Sequence, residues 1–170
     1  MLPKLFFGYF AVAITALSLL VVTRRNPVHS VMWMLLMFFN LASMYLFLNA
    51  EFIAAIQVIV YAGAILVLFL FVVLLLNLRE ELQTNRFIRS WPAGLVIALA
   101  LLASIFFSIS SFVPGISGRY TNDYVQKETF TKVLGQVLYT EYLFPFEIAS
   151  VILLISIIGA IVLAKKRTRS

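Results

Sequence analysis

Apolar residues along this chain gather into five long runs, divided by short polar or charged stretches. The first covers about 5–22 and closes at "TRRNP"; the second covers about 28–48, with Pro27 pre-set for its first helical turn. Asn49-Ala50-Glu51 is a very short turn into the third run, about 52–76, which ends at "NLREELQTNR". The fourth, about 91–113, stops at Pro114-Gly115, and the fifth, about 146–164, closes at "KKRTRS". Several of these exceed the roughly 18 residues that mark a membrane-spanning helix. The pattern predicts an all-α integral membrane protein with five transmembrane helices, forming a single membrane domain over 1–170. Ahead of the fifth run, Phe130, Val133, Leu134, Val137 and Leu138 recur at helical spacing. They predict an amphipathic helix over about 129–140, lying at the membrane surface or capping the bundle.

Composition agrees. The 170 residues are 63% hydrophobic and 12% charged, and a soluble domain carries about twice that charged share. The first run is followed by "TRRNPVHS" and a second apolar run, not by the small-residue pattern of a signal cleavage site. With no cysteine, disulfides, thiolate metal sites and cysteine nucleophiles are excluded. His29 is the one histidine, and no spacing of typical metal ligands accompanies it. The net charge of +6 points to cytoplasmic membrane ends and not to nucleic acid. If the N-terminus is outside, the inner segments hold nine basic residues: Arg24, Arg25, Arg79, Arg86, Arg89, Lys165, Lys166, Arg167 and Arg169. The outer segments then hold four: Lys4, Arg119, Lys127 and Lys132. That asymmetry predicts an external N-terminus and a cytoplasmic C-terminus.

Chemistry-bearing groups are sparse. In the third run, Ala55, Ala62 and Gly63 fall on one face at regular helical spacing, which suits close packing of a neighbouring backbone. The glycine also permits irregular backbone such as a π-bulge, and the spacing leaves both readings open. Gln57 and Tyr61 are one turn apart and are expected to face the same way, toward protein or water. Interhelical hydrogen bonding and a gating or relay role for the phenol both fit. Glu51 begins the third run and Glu147 lies in the first turn of the fifth. Acids in or beside the membrane are functional candidates, although a helix N-terminus also favours them. Arg24 and Arg25 read as topology determinants and His29 as an interfacial hydrogen-bonding group. Asn40 and Ser43 are expected to bond across helices. No nucleophile triad, phosphate loop, haem motif or iron–sulfur spacing is present, so no catalytic residue is assigned.

As a string, "NAEFIAAIQVIVYAGAILVLFLFVVLLLNL" at Asn49–Leu78 resembles the third helix of the subunit J family of proton-pumping NADH–quinone oxidoreductase, respiratory complex I, whose mitochondrial counterpart is chain 6. "RNPVHSVMWML" at Arg25–Leu36 and "LYTEYLFPFEIASVILLISIIGAIVLAKK" at Leu138–Lys166 agree in order and spacing. The resemblance implies a membrane-arm subunit of a bacterial cytoplasmic membrane, beside the quinone-site subunit, small three-helix subunits and antiporter-like subunits. It implies no cofactor on this chain: FMN and iron–sulfur clusters belong to peripheral-arm partners, and quinone to neighbouring subunits. It also implies a third helix with a π-bulge near "VYAGA", which switches to regular helix and opens or closes a water path. Carried over by position, the switch residues are Tyr61, Ala62 and Gly63, with Val67 and Phe69 on the rotating part, and Glu147 matches a fifth-helix acid. Some relatives have a carboxylate where this chain has Gln57, which cannot titrate. The remaining alternatives are a related subunit of an ion-translocating hydrogenase or multisubunit cation/proton antiporter, and a purely structural scaffold.

Overall fold

The computed structural model describes residues 2–76, 91–110 and 120–165. All regular structure among the described residues is helical: α1 (Leu2–Thr23), α2 (Pro27–Phe47), α3 (Glu51–Leu75), α4 (Trp91–Ser110), α5 (Asn122–Glu128), α6 (Phe130–Thr140) and α7 (Leu143–Ala164). Five of these, α1 to α4 and α7, are long and apolar enough to cross a membrane. The chain divides into two compact units, Met1–Thr121 and Asn122–Ser170.

In the first unit α1 and α2 form an antiparallel pair, and α3 packs on the same α2. The α1–α2 turn is set by Asn26, whose side chain accepts the Val28 N–H at 3.0 Å, with Pro27 at the first helical position. Ser30 Oγ reaches back to the Val21 carbonyl, and Ser18 Oγ donates both to Ile14 O and to Met37 Sδ at 3.2 Å. Farther along, Phe6 and Phe10 of α1 meet Phe47 of α2, with ring centroids 5.6 and 6.3 Å apart. Val31 of α2 is the most deeply buried side chain among the described residues. Asn40 and Ser43 do not bond across helices as their spacing led us to expect. Each donates to a carbonyl of its own helix, Leu36 O and Phe39 O, because a short polar side chain reaches the i−4 carbonyl without needing a partner.

The α2–α3 turn is closed by Asn49 in the left-handed region, at φ 57°. The Asn49 N–H bonds to Leu46 O and the Ala50 N–H to Tyr45 O. This is a Schellman closure with asparagine at the position that usually holds glycine. It lets α3 start at once, with Glu51 in its first turn. No other described helix of the first unit packs on α4.

In the second unit α6 lies against α5 and the start of α7. Val133 is its buried residue, and the Tyr139 ring meets Phe146 edge-on at 5.1 Å. Thr129, at φ 73°, makes the break between α5 and α6. An ion pair of Lys132 with Glu128 spans that break, and its hydrogen bond raises the Lys132 pKa. Helix α7 begins at Leu143, so Pro145 sits inside the first turn, where its missing N–H has no intrahelical role. Glu147 is consequently in the second turn of its helix, one turn deeper than the sequence reading placed it.

Candidate functional site

The site is a stretch of wide helix in the middle of α3. The span is regular α-helix over Glu51–Ile56, π-helical over Gln57–Ile65, and regular again over Leu66–Leu75. At the exit the Leu66 N–H bonds to the Tyr61 carbonyl, five residues back, before the four-residue ladder resumes. The local sequence, "QVIVYAGAI", is β-branched before the tyrosine and small after it. The β-branched residues have restricted rotamers in a regular helix, and the small ones tolerate altered backbone approach.

The residues buried along α3 are Ala54, Gln57, Ala62 and Leu66. Their steps are three, five and four residues. In a regular helix of about 100° per residue, a five-residue step overshoots one turn by roughly 140°. The wide turn absorbs the extra residue, so both flanks keep one continuous face toward α2.

This geometry overturns two expectations. Gln57 and Tyr61 are not enclosed together: Gln57 is 7% exposed, whereas Tyr61 is 46% exposed. Across the wide turn Ala62, and not Tyr61, is the next buried residue after Gln57. For the same reason Ala55, Ala62 and Gly63 do not form one packing stripe, since Ala62 is buried while Ala55 and Gly63 are exposed. Tyr61 instead places its ring edge against Phe38 of α2, at 6.0 Å and 75°. Phe38 was not legible as its partner, because it lies in an apolar run where every residue looks alike.

Neither the Gln57 amide nor the Tyr61 hydroxyl has a hydrogen-bond partner among the described residues. No described side-chain nitrogen or oxygen is both sealed from the surface and unpartnered. The Gln57 amide therefore lies at the edge of the α2–α3 contact, within reach of water or of a neighbouring group.

Gly63 is distinguished by contact and not by dihedral, as no glycine has positive φ among the described residues. A Cβ built on it would lie 3.3 Å from the Val58 carbonyl oxygen, five residues back across the wide turn. Val67 and Phe69, just beyond the turn, are exposed and point away from the buried face. Glu51 is exposed in the first turn of α3, where the helix N-terminus favours its charge. Glu147 is exposed in the other unit, and His29 is exposed in the first turn of α2.

A sequence-family model described as NADH-ubiquinone/plastoquinone oxidoreductase chain 6 matches residues 17–163. Among curated proteins, NADH-quinone oxidoreductase subunit J of Rhodobacter capsulatus is 36% identical, over 92% of this chain and 79% of that protein. NADH-ubiquinone oxidoreductase chain 6 of Marchantia polymorpha is also 36% identical, over 96% of this chain and 87% of that one. Subunit J of Rickettsia felis is 35% identical, over 96% and 80%. The chain, a multi-pass membrane protein with a π-helical piece in its third span, belongs to the subunit J and chain 6 family of NADH-quinone oxidoreductase.

Proposed function

We propose that this chain is a membrane-arm subunit of a proton-translocating NADH–quinone oxidoreductase, coupling quinone reduction to proton movement without doing redox chemistry itself. It binds no redox cofactor; FMN and iron–sulfur clusters belong to peripheral-arm partners and quinone to a neighbouring subunit. Its membrane neighbours are the quinone-site subunit, small three-helix subunits and antiporter-like subunits, in a bacterial cytoplasmic membrane. Its N-terminus is outside and its C-terminus cytoplasmic.

One observation carries the coupling reading: the nine-residue π-helical stretch Gln57–Ile65, where the buried face takes a five-residue step. Converting that stretch to regular helix removes one residue from the turn and rotates the downstream part by about 100°. Tyr61, now only at the edge of the α2 contact against Phe38, and Ile65 then take the buried places of Ala62 and Leu66. Phe69, four residues beyond Ile65, comes onto the same face, and Val67 turns with it. An apolar surface near Gln57 is exchanged for one with a phenol. A water path past the turn opens in one state and closes in the other, a two-state element of the kind that gates transport. Gln57 holds water by hydrogen bonding and carries no titratable proton. Glu51 and Glu147 are the candidate acids this chain offers to the path.

The test is Gly63→Val in the assembled complex, reconstituted into liposomes with NADH oxidation and proton uptake followed together. A β-branched side chain against the Val58 carbonyl is expected to uncouple or slow pumping while assembly persists. Proton translocation at the wild-type rate would sink the switch. A scaffold subunit would respond otherwise: Tyr61→Phe would alter assembly and leave the proton-to-electron ratio unchanged. Co-purification tests membership itself, since hydrogenase or antiporter chains in place of NADH-oxidising partners would assign the chain elsewhere.

A further inference from the structure

The turn between α1 and α2 carries a feature that topology does not explain. Arg24 and Arg25 follow directly on α1, both exposed, and neither forms an ion pair among the described residues. An arginine that only marks the cytoplasmic side extends away from the membrane into water. Arg24 does the opposite. Its guanidinium turns back along α2 and lies over the Trp33 ring, 5.6 Å from the centroid. Trp33 is six residues beyond Pro27, about 9 Å into the helix at 1.5 Å per residue. Helix α2 has 21 residues, so it spans little more than the roughly 30 Å hydrocarbon layer. Its seventh residue is therefore level with the glycerol and upper acyl region. A cation held at that depth, with no ion pair among the described residues, calls for an anion from the lipid side.

The surface beside it fits a phospholipid. His29, Trp33 and Leu36 follow one another at i, i+4 and i+7, sharing a face of α2. His29 and Leu36 are exposed and Trp33 is half-buried. Reading inward from the turn, this face offers two guanidinium groups and an imidazole, then an indole, then an aliphatic side chain. That order matches phosphate, glycerol backbone and acyl chain. We propose that the α1–α2 turn is a binding site for an anionic phospholipid. Arg24 and Arg25 take the headgroup phosphate as fork-shaped donors, Trp33 both orients Arg24 and packs on the glycerol region, and Leu36 contacts the upper acyl chain. The occupant is a lipid and not free phosphate, because the stripe below the cations is apolar and opens along the span.

The test uses the full-length chain in its native membranes, with photoreactive phosphatidylglycerol as the probe and the label mapped by mass spectrometry. Labelling of the Thr23–Leu36 segment is expected. Excess phosphatidylglycerol should compete, while phosphatidylcholine and inorganic phosphate should not. Arg24→Gln/Arg25→Gln should lower labelling roughly twenty-five-fold, about fivefold for each cation lost. Since that variant also disturbs topology, Arg24→Lys/Arg25→Lys provides the second arm. It keeps both charges but loses the stacked, bidentate geometry, and should retain competition by anionic lipid at reduced yield. Raising the salt should weaken wild-type labelling. Equal labelling by photoreactive phosphatidylcholine, effective competition by inorganic phosphate, or unchanged labelling in the glutamine variant would each overturn the site.

Discussion

A methyl group placed on Gly63 would meet the Val58 carbonyl oxygen at 3.3 Å, tighter than ordinary contact. In a regular helix the same methyl is favourable, because alanine exceeds glycine by about 1 kcal/mol of helix propensity. The two terms act on different states of α3: one penalises the wide turn, and the other rewards the regular one. Gly63→Ala is therefore expected to shift the balance toward regular helix by about 1 kcal/mol, roughly fivefold in population. Hydrogen exchange at the amides around Tyr61–Leu66 would detect it as stronger protection, and weaker protection would contradict the argument. Asn49 shows the reverse kind of dependence, since here the dihedral matters and the contact does not. With φ at 57°, Asn49→Gly should leave thermal unfolding of the solubilised protein nearly unchanged. Asn49→Val should cost about 1–2 kcal/mol, the penalty of a left-handed L-residue. Equal melting temperatures for the two variants would show that the α2–α3 turn does not depend on this residue.

At the scale of the helix, the five-residue step from Gln57 to Ala62 makes the wide turn part of the packing. Deleting Ile59 reduces that step to four residues, which a regular helix spans in one turn. The shortened α3 can then keep both flanks against α2 without any π-helical piece. The deletion is expected to assemble normally and oxidise NADH, but to lose proton translocation, because it has only one register. Retained pumping would show that the wide turn is dispensable. This element also marks how far the sequence could be read. The five spans were legible because length and apolarity alone define them. The wide turn was not legible from periodicity, because a nearly unbroken apolar run fits any phase, and assuming 3.6 residues per turn wrongly put Tyr61 beneath Gln57. Only the resemblance of the "VYAGA" string pointed to it. Glu147 was placed one turn too shallow for a different reason: the fifth span was started after Pro145, which here lies within the first turn of a helix that begins at Leu143.

At the scale of the whole molecule, little of the apolar surface is covered by the chain itself. No residue is buried in the α4 or α7 spans, and only a small share is in the others. A soluble protein with that surface would aggregate, whereas here lipid and neighbouring subunits supply the environment. Charge distribution predicts how such a chain lies in the bilayer, and carries no information on which faces meet protein. The nine-to-four excess of arginine and lysine at one set of ends predicts one orientation for all five spans at once, because consecutive spans alternate in direction. The absence of cysteine makes this orientation directly measurable. In one variant Lys127→Cys reports the segment before α7, and in another Ser170→Cys reports the C-terminus. Intact spheroplasts treated with a membrane-impermeant maleimide should label the first variant and spare the second until the membrane is opened. The opposite pattern would put the arginine-rich turns outside. It would reverse the side on which the Arg24–Trp33 pair meets lipid, and leave the charge asymmetry without its usual cause.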